Sequence, residues 1–480
     1  MSGRIKYNIM SQSELKLLKD RTETLLEQRG IVLEHQPLRS ELEKSGCILQ
    51  DKKVLFPKEV IRKALADVPE TFTLYSPSGQ HDMEFPHPQG SFYTRTCTGA
   101  PYYRSLNDLT RYVTPENTAE WFHLTNYLDN IDFTALPSAC SPDVPGNMID
   151  ICTLEQALNL SEKHIWIQPY GTANVRYLIE MCQAAAGGPK ALREKPIVSF
   201  ISCSVPVLKF KDMDAEIIYQ CAKAGIPVQP CALPTAGANT PVTAQGTALA
   251  ACADVLAQII MLELLCPGLP VIATPLLFSM DMKTTYTLQS NTQITLGRLM
   301  CMQLFEEGYH IPAHSYGTGT DSPVLDEQNM IERTSLIHMM AISGASVLGG
   351  AGQLETAKTI SPLQLIMDDE IFGIAKQLCR GLAVDDETLD FEELLRGDDG
   401  NGYLMSNHTL RHFHELYRPE LFFQGNTPAA ADGTPLHTML QRTLQRYHAL
   451  KALPIRQVLN PDISQRIHEI LLQAKQELTV

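Results

Sequence analysis

Trp166, Gln168 and Tyr170 alternate along one short segment and His314 and Tyr316 along another, so a period of two puts each set on one face of a strand. With Tyr102, Tyr103 and Phe278 they offer aromatic rings, whose negative faces attract a cation that has no hydrogen bond to give, such as a quaternary ammonium. A carboxylate on the same ligand needs a cationic or hydrogen-bonding partner, for which Arg95, Arg104, His310 and His314 are candidates. Gln229, in the segment Pro227 to Cys231, completes the substrate-binding candidates, and Phe200, Ser202 and Ser204 share a face of their own segment. Packing competes with each of these readings, because a lone aromatic beside a strand more often belongs to a core. Arg104 is placed to pair with Asp108 on the surface. His310 and His314 do not form a metal pair, since four residues along a strand separate them by ~13 Å, and Pro312 argues against a helix there. Asp321, Asp326 and Glu327 resemble an acid–base cluster, yet capping of a helix that starts near Glu327 explains Asp326 more simply. No catalytic residue is assigned: the chain carries neither a nucleophile elbow nor a Gly-Lys-Ser/Thr phosphate loop.

These residues need strands to hold them, and from about Ile131 the chain alternates short apolar runs with helical patterns. Strands are predicted at Ile131–Leu136, Ile165–Gln168, Ile197–Ser202, Pro227–Cys231, Pro270–Thr274, His310–His314 and Ser346–Leu348, with helices between them. Repeated strand–helix units mean parallel βαβ connections, and the lack of a dinucleotide glycine fingerprint after the first strand favours a (β/α)8 TIM barrel over a doubly wound sheet. Seven strands are convincing; the eighth is sought between Pro362 and Gln424, where Leu421-Phe422-Phe423 is the best run. A barrel of this kind places its ligand site at the C-terminal ends of the strands. Residues 1–125 read as an N-terminal cap, with a helix from Ser11 to Arg29 and a β-hairpin from Thr71–Tyr75 and Gly90–Thr96. Residues 126–425 then form the barrel domain and 426–480 a C-terminal helical extension, expected to buttress the barrel or the interface of a homo-oligomer.

Composition bounds the function. With 44% hydrophobic and 19% charged residues over 480 positions, the chain is globular. A net charge of −15 and a pI near 5.4 argue against general nucleic-acid binding, which relies on clustered Lys and Arg. The start of the chain lacks an apolar signal region, and no apolar run is read as a membrane span, so a cytoplasmic location is expected. Twelve scattered cysteines without a Cys-x-x-Cys pair predict reduced, buried thiols and no bound metal.

The loop Gly319-Thr320-Asp321-Ser322-Pro323-Val324-Leu325-Asp326-Glu327-Gln328, with Gly344-Ala345 and Gly349-Gly350-Ala351-Gly352 after it, resembles the trimethylamine methyltransferase family of corrinoid-dependent enzymes. Thr235-Ala236-Gly237-Ala238-Asn239-Thr240-Pro241-Val242-Thr243 and Leu264-Leu265-Cys266-Pro267-Gly268-Leu269-Pro270-Val271-Ile272 agree with it, and the resemblance runs from about Phe72 to the C-terminal helices. The trimethylamine enzymes carry pyrrolysine near the position of Pro323 or Val324, where this chain has ordinary residues. The resemblance therefore implies the non-pyrrolysine branch: methyl transfer from a quaternary amine, such as proline betaine, glycine betaine or carnitine, to the Co(I) corrinoid of a partner corrinoid protein. It implies no tightly bound cofactor in the chain itself, the cobalamin being carried by the partner. Gly317, Gly319, Gly349 and Gly350 would then face the corrin ring, their competing role being turn geometry. Two other outcomes remain open at this point: a non-catalytic betaine-binding protein, and a barrel methyltransferase of folate or zinc chemistry.

Overall fold

A computed structural model describes residues 5–142, 144–397, 400, 402–422 and 438–478. The fold is mixed α/β, with parallel sheets surrounded by helices. The parallel strands are β1 (Tyr93–Thr96), β2 (Thr134–Ala135), β3 (Ile165–Ile167), β4 (Val198–Ser204), β5 (Val228–Ala232), β6 (Thr274–Pro275), β7 (His314–Tyr316) and β8 (Val347–Ala351). One sheet runs β6-β5-β4-β3-β2 and the other β7-β8-β1. Single parallel bridges join them on both sides, Arg95 with Phe133 and Ala273 with Ala313.

All seven expected strands appear within a few residues of their predicted places. The eighth parallel segment does not lie after Pro362. Tyr93–Thr96, read as half of a hairpin in the cap, pairs instead with β8, Tyr93 opposite Val347 and Thr94 opposite Leu348. Phe72–Leu74 makes its hairpin with Met83–Phe85. Alternation marks a strand but says nothing about its partner, and here that partner lies some 250 positions away in the chain. In the rejected run, the backbone N–H groups of Leu421 and Phe422 donate to the Glu370 carboxylate rather than to a strand, and Phe423 lies outside the described residues.

The helices follow their sequence signals. α1 (Gln12–Gln28) starts at a capping box in which Ser11 and Glu14 satisfy each other's backbone N–H, and buries Leu15, Leu18 and Leu26. After the strands come α2 (Pro115–Asn126), α3 (Ile149–Leu160), α4 (Asn174–Ala186), α5 (Asp212–Ala224), α6 (Ala244–Leu265), α7 (Thr292–Gln303), α8 (Glu327–Ile342) and α9 (Pro362–Arg380). α6 corrects one expectation, because its length and apolarity would suffice to cross a membrane. Here it is a core helix, packed against α1, α5 and α7. Two of its buried polar side chains bond to the backbone beside it: Asp254 accepts from the Leu208 N–H at 2.6 Å, and Gln258 donates to the Cys231 carbonyl at 2.8 Å. α10 (Met439–Lys451) and α11 (Pro461–Leu478) lie against the outer helices, where Lys451 and the Tyr447 and Tyr103 hydroxyls converge on Glu120.

Candidate functional site

Three strands meet at one buried cluster. Arg95, near the end of β1, donates through Nε to His314 Nε2 at 3.1 Å and through Nη1 to its neighbour's carbonyl, Thr96 O, at 2.7 Å. Its guanidinium lies 3.7 Å from the centre of the Trp166 ring, and Trp166 meets His314 edge to face at 5.4 Å. Since Nε2 of His314 accepts, its proton sits on Nδ1; burial, with the charge of Arg95 beside it, holds its pKa well below the usual histidine value. Burial also pushes Arg95 down to about 10, which leaves it charged at neutral pH. Gly349 makes the contact possible: a Cβ there would come within 2.5 Å of His314 Nε2 and 2.7 Å of Arg95 Nε.

A second group adjoins the first through Tyr316. The Phe278 and Tyr316 rings stand 5.9 Å apart at 67°, and Arg298, from the second turn of α7, places its guanidinium 5.8 Å from the Tyr316 ring. Burial raises the Tyr316 hydroxyl above its ordinary pKa, opposed by the charges of Arg95 and Arg298, and pushes Arg298 down to about 10. Among the described residues, several buried polar atoms without a protein partner lie in these loops and strands: Nη2 of Arg95, Nε and Nη1 of Arg298, Nδ1 of His314, Oγ1 of Thr318, and both amide atoms of Gln289. Buried polar groups are normally paired, so open ones beside aromatic rings make this the candidate ligand site.

The structure thus brings together Arg95, Trp166, His314, Tyr316 and Phe278 of the expected residues. Trp166 is not a free cage wall, because Arg95 already covers a face of its ring. Gln168 and Tyr170 meet beside Gly99, where a Cβ would lie 3.2 Å from Gln168 Oε1 and 3.6 Å from the Tyr170 hydroxyl; Tyr170 is hydrogen-bonded to Ser138. Gln229 donates to Ser199 Oγ at 3.0 Å, which also meets His164 Nε2; Ser199 is the strand partner of Trp166, and among the described residues Oε1 of Gln229 has no partner. Ser202 turns its hydroxyl to the Asp214 carbonyl on α5, so the inward face of β4 carries Ser199, not the set Phe200, Ser202 and Ser204. Tyr102 stacks on Tyr112 in a separate antiparallel pair, away from the cluster. Arg104 pairs with Asp108, and His310 is exposed in a left-handed turn.

The acids are structural. Asp326 caps α8, accepting from the Asn329 N–H at 2.9 Å, and Asp321 accepts from the N–H groups of Gln289 and Ser290 and from the Thr356 hydroxyl. The four glycines expected at the corrin ring are all buried, each with protein atoms where a side chain would begin: Leu348 at Gly317, Gln289 at Gly319, Arg95 and His314 at Gly349, Gln353 and the Thr318 carbonyl at Gly350. Close packing accounts for glycine at these positions. Sequence reasoning missed Arg298 and Gln289. The signal for Arg298 was present, because it falls on the same helical stripe as Ile294, Cys301 and Met302, an apolar face where a charge is out of place.

A family described as trimethylamine methyltransferase (MTTB) matches residues 2–479. The chain is 28% identical to trimethylamine methyltransferase MttB of Methanosarcina barkeri over 84% of this chain and 83% of that protein. It is 25% identical to a glycine betaine methyltransferase of Desulfitobacterium hafniense over 98% of both. Among solved structures, the monomethylamine methyltransferase MtmB of Methanosarcina barkeri is similar in fold, with a TM-score of 0.50 at 12% identity, over 98% of this chain and 96% of that one.

Proposed function

This chain belongs to the trimethylamine methyltransferase family, and from that we propose that it moves a methyl group from a betaine-type quaternary amine to the Co(I) corrinoid of a partner protein, releasing a tertiary amine. One observation carries the choice of a quaternary substrate. The titratable groups at the cluster are each locked in one state at neutral pH: His314 neutral, Tyr316 protonated, Arg95 and Arg298 charged. None of them is poised to move a proton near pH 7. A quaternary nitrogen needs no proton, because it keeps the electron pair of the broken C–N bond and leaves neutral. The nucleophile is the cobalt of the partner's corrinoid, which acts as co-substrate. The chain's own work is to hold one N-methyl in line and exclude water, using the Tyr316 and Phe278 rings. Too deep a cation well would hold substrate more tightly than transition state; two rings beside two arginines avoid that.

The eight parallel strands and the bridges at both seams support a closed (β/α)8 barrel, with this cluster at its C-terminal mouth. The reading includes a cytoplasmic location and a homo-oligomer. For the latter, Leu382, Val384, Leu395, Leu404, Met405 and Leu416 each expose more than two thirds of their surface, a run of apolar side chains suited to an interface. Light scattering should then report more than one copy.

The test of function mixes the protein with reduced cob(I)alamin and a panel of proline betaine, glycine betaine, carnitine and trimethylamine, following conversion to methylcobalamin by absorbance. Conversion with a betaine and not with trimethylamine is expected. Binding by calorimetry without any transfer would assign a betaine-binding protein, and folate turnover would assign the other barrel chemistry.

A further inference from the structure

We propose that Arg298 is the carboxylate receptor of this site, and that it restricts the enzyme to quaternary amines that are zwitterions. The inference rests on the quaternary-amine reading above and adds the residue that selects within it.

A fully buried guanidinium needs its donors satisfied, because taking a charge out of water is costly unless it is paired. Arg298 is fully buried, yet among the described residues its one acceptor is the Leu277 carbonyl, met by Nη2, while Nε and Nη1 have none. Asp321 is the carboxylate whose charge reaches it, but the Asp321 oxygens are engaged by the Gln289 and Ser290 backbone and by Thr356. Across the same loop, the buried Gln289 amide leaves both its nitrogen and its oxygen open. Polar groups are therefore held ready, in a dry place, with nothing among the described residues to bond them.

Position gives these donors their ligand. The Arg298 guanidinium stands beside the Tyr316 ring, and that ring beside Phe278, so a cation on the aromatic faces would put a group only a few carbons away within reach of Arg298. A betaine has this layout, with a quaternary nitrogen and a carboxylate on one short chain. Charge points the same way. Arg95 also lies in the cluster, bonded to His314 and Thr96 rather than to an acid. A ligand carrying only a positive charge would add a third cation to two buried ones, whereas a zwitterion neutralises one of them. A site built to bond a group rejects the analogue that lacks it, because its own buried donors are then left unpaired.

Calorimetry on the full chain tests this with glycine betaine, proline betaine and carnitine against tetramethylammonium and choline. Wild type is expected to bind one of the zwitterions and to bind the plain cations roughly a hundredfold more weakly. Arg298→Met should weaken the zwitterion by roughly a hundredfold and leave tetramethylammonium unchanged or tighter. Arg298→Lys should recover part of the loss, with KM raised more than kcat is lowered. Retention of the zwitterion preference in Arg298→Met overturns the proposal. Should that variant fail to fold, equal binding of betaine and tetramethylammonium by wild type overturns it instead. If wild type binds no quaternary amine at all, the functional reading itself falls, whereas binding without preference spares that reading and removes only the role of Arg298.

Discussion

Arg333 and Arg298 are both fully buried arginines on helices that follow parallel strands, and they live in opposite surroundings. Every donor group of Arg333 is used: Nε bonds Asn329 at 2.9 Å, Nη1 bonds Asp368 at 2.8 Å, and Nη2 bonds the Gln353 carbonyl. Asp368 in turn accepts from the Gly352 N–H at 2.6 Å and from Gln364 at 3.0 Å. This network ties α8 and α9 to the turn after β8, and nothing in it remains to receive a ligand. Arg298 has one carbonyl and two idle donors. The contrast teaches that burial of a charge says little about its role until the accounting of its partners is done. A closed account is scaffold, and an open one beside aromatic rings is a candidate for binding.

Breaking the closed network should have the largest effect. Asp368→Leu leaves Arg333 buried and unpaired, and is expected to cost about 3–5 kcal/mol of stability, read as a large fall in Tm. Arg298→Met, by contrast, should leave Tm level or higher, since it removes an uncompensated charge; a fall as large as that of Asp368→Leu would break the comparison. Gly349→Ala pushes a methyl against His314 and Arg95, so overpacking of about 1–3 kcal/mol is expected together with loss of methyl transfer.

Glu263 sharpens the contrast with a third solution. It is buried on α6, one oxygen accepting from the Gly268 N–H and the other without a partner, and burial raises its pKa to about 8. Unlike an arginine it can take up a proton. With the folded pKa above the usual 4.5, its contribution to stability is fully present below pH 4.5 and is lost as pH rises through about 8. Glu263→Gln should therefore flatten the decline of Tm between those pH values relative to wild type. Arg104→Ala sits at the small end: its partner Asp108 is largely exposed, and the pair should be worth at most about 1 kcal/mol, with transfer unchanged.

Much of the fold was legible along the chain. The caps at Ser11 and Asp326, the helix Asn174–Ala186 and the seven strands beyond Ile131 follow from local signals: a side-chain oxygen before a helix, or apolar residues at a period of two or 3.6. The site was legible only in part. Arg95, Trp166, His314, Tyr316 and Phe278 do come together, and Gln229 bonds Ser199, the strand partner of Trp166, but Tyr102 was chosen on residue type and stacks on Tyr112 in a separate pair. The glycine loops were visible as glycines, and their cause was not, because a clash with Arg95 or Gln289 is a fact of space.

By itself the sequence determined the order of strands and helices, the acidic surface and the family, since each is written in neighbouring residues or in a motif. Tertiary structure alone decided that β1 joins β8, that Arg95 covers Trp166, and that Arg333 is paired while Arg298 is not. Those outcomes depend on contacts between residues far apart in the chain, such as Arg95 and His314, which are 219 positions apart. A charge on a helix reads the same in sequence whether a carboxylate waits for it or not; only packing brings the partner, or leaves the place for a ligand.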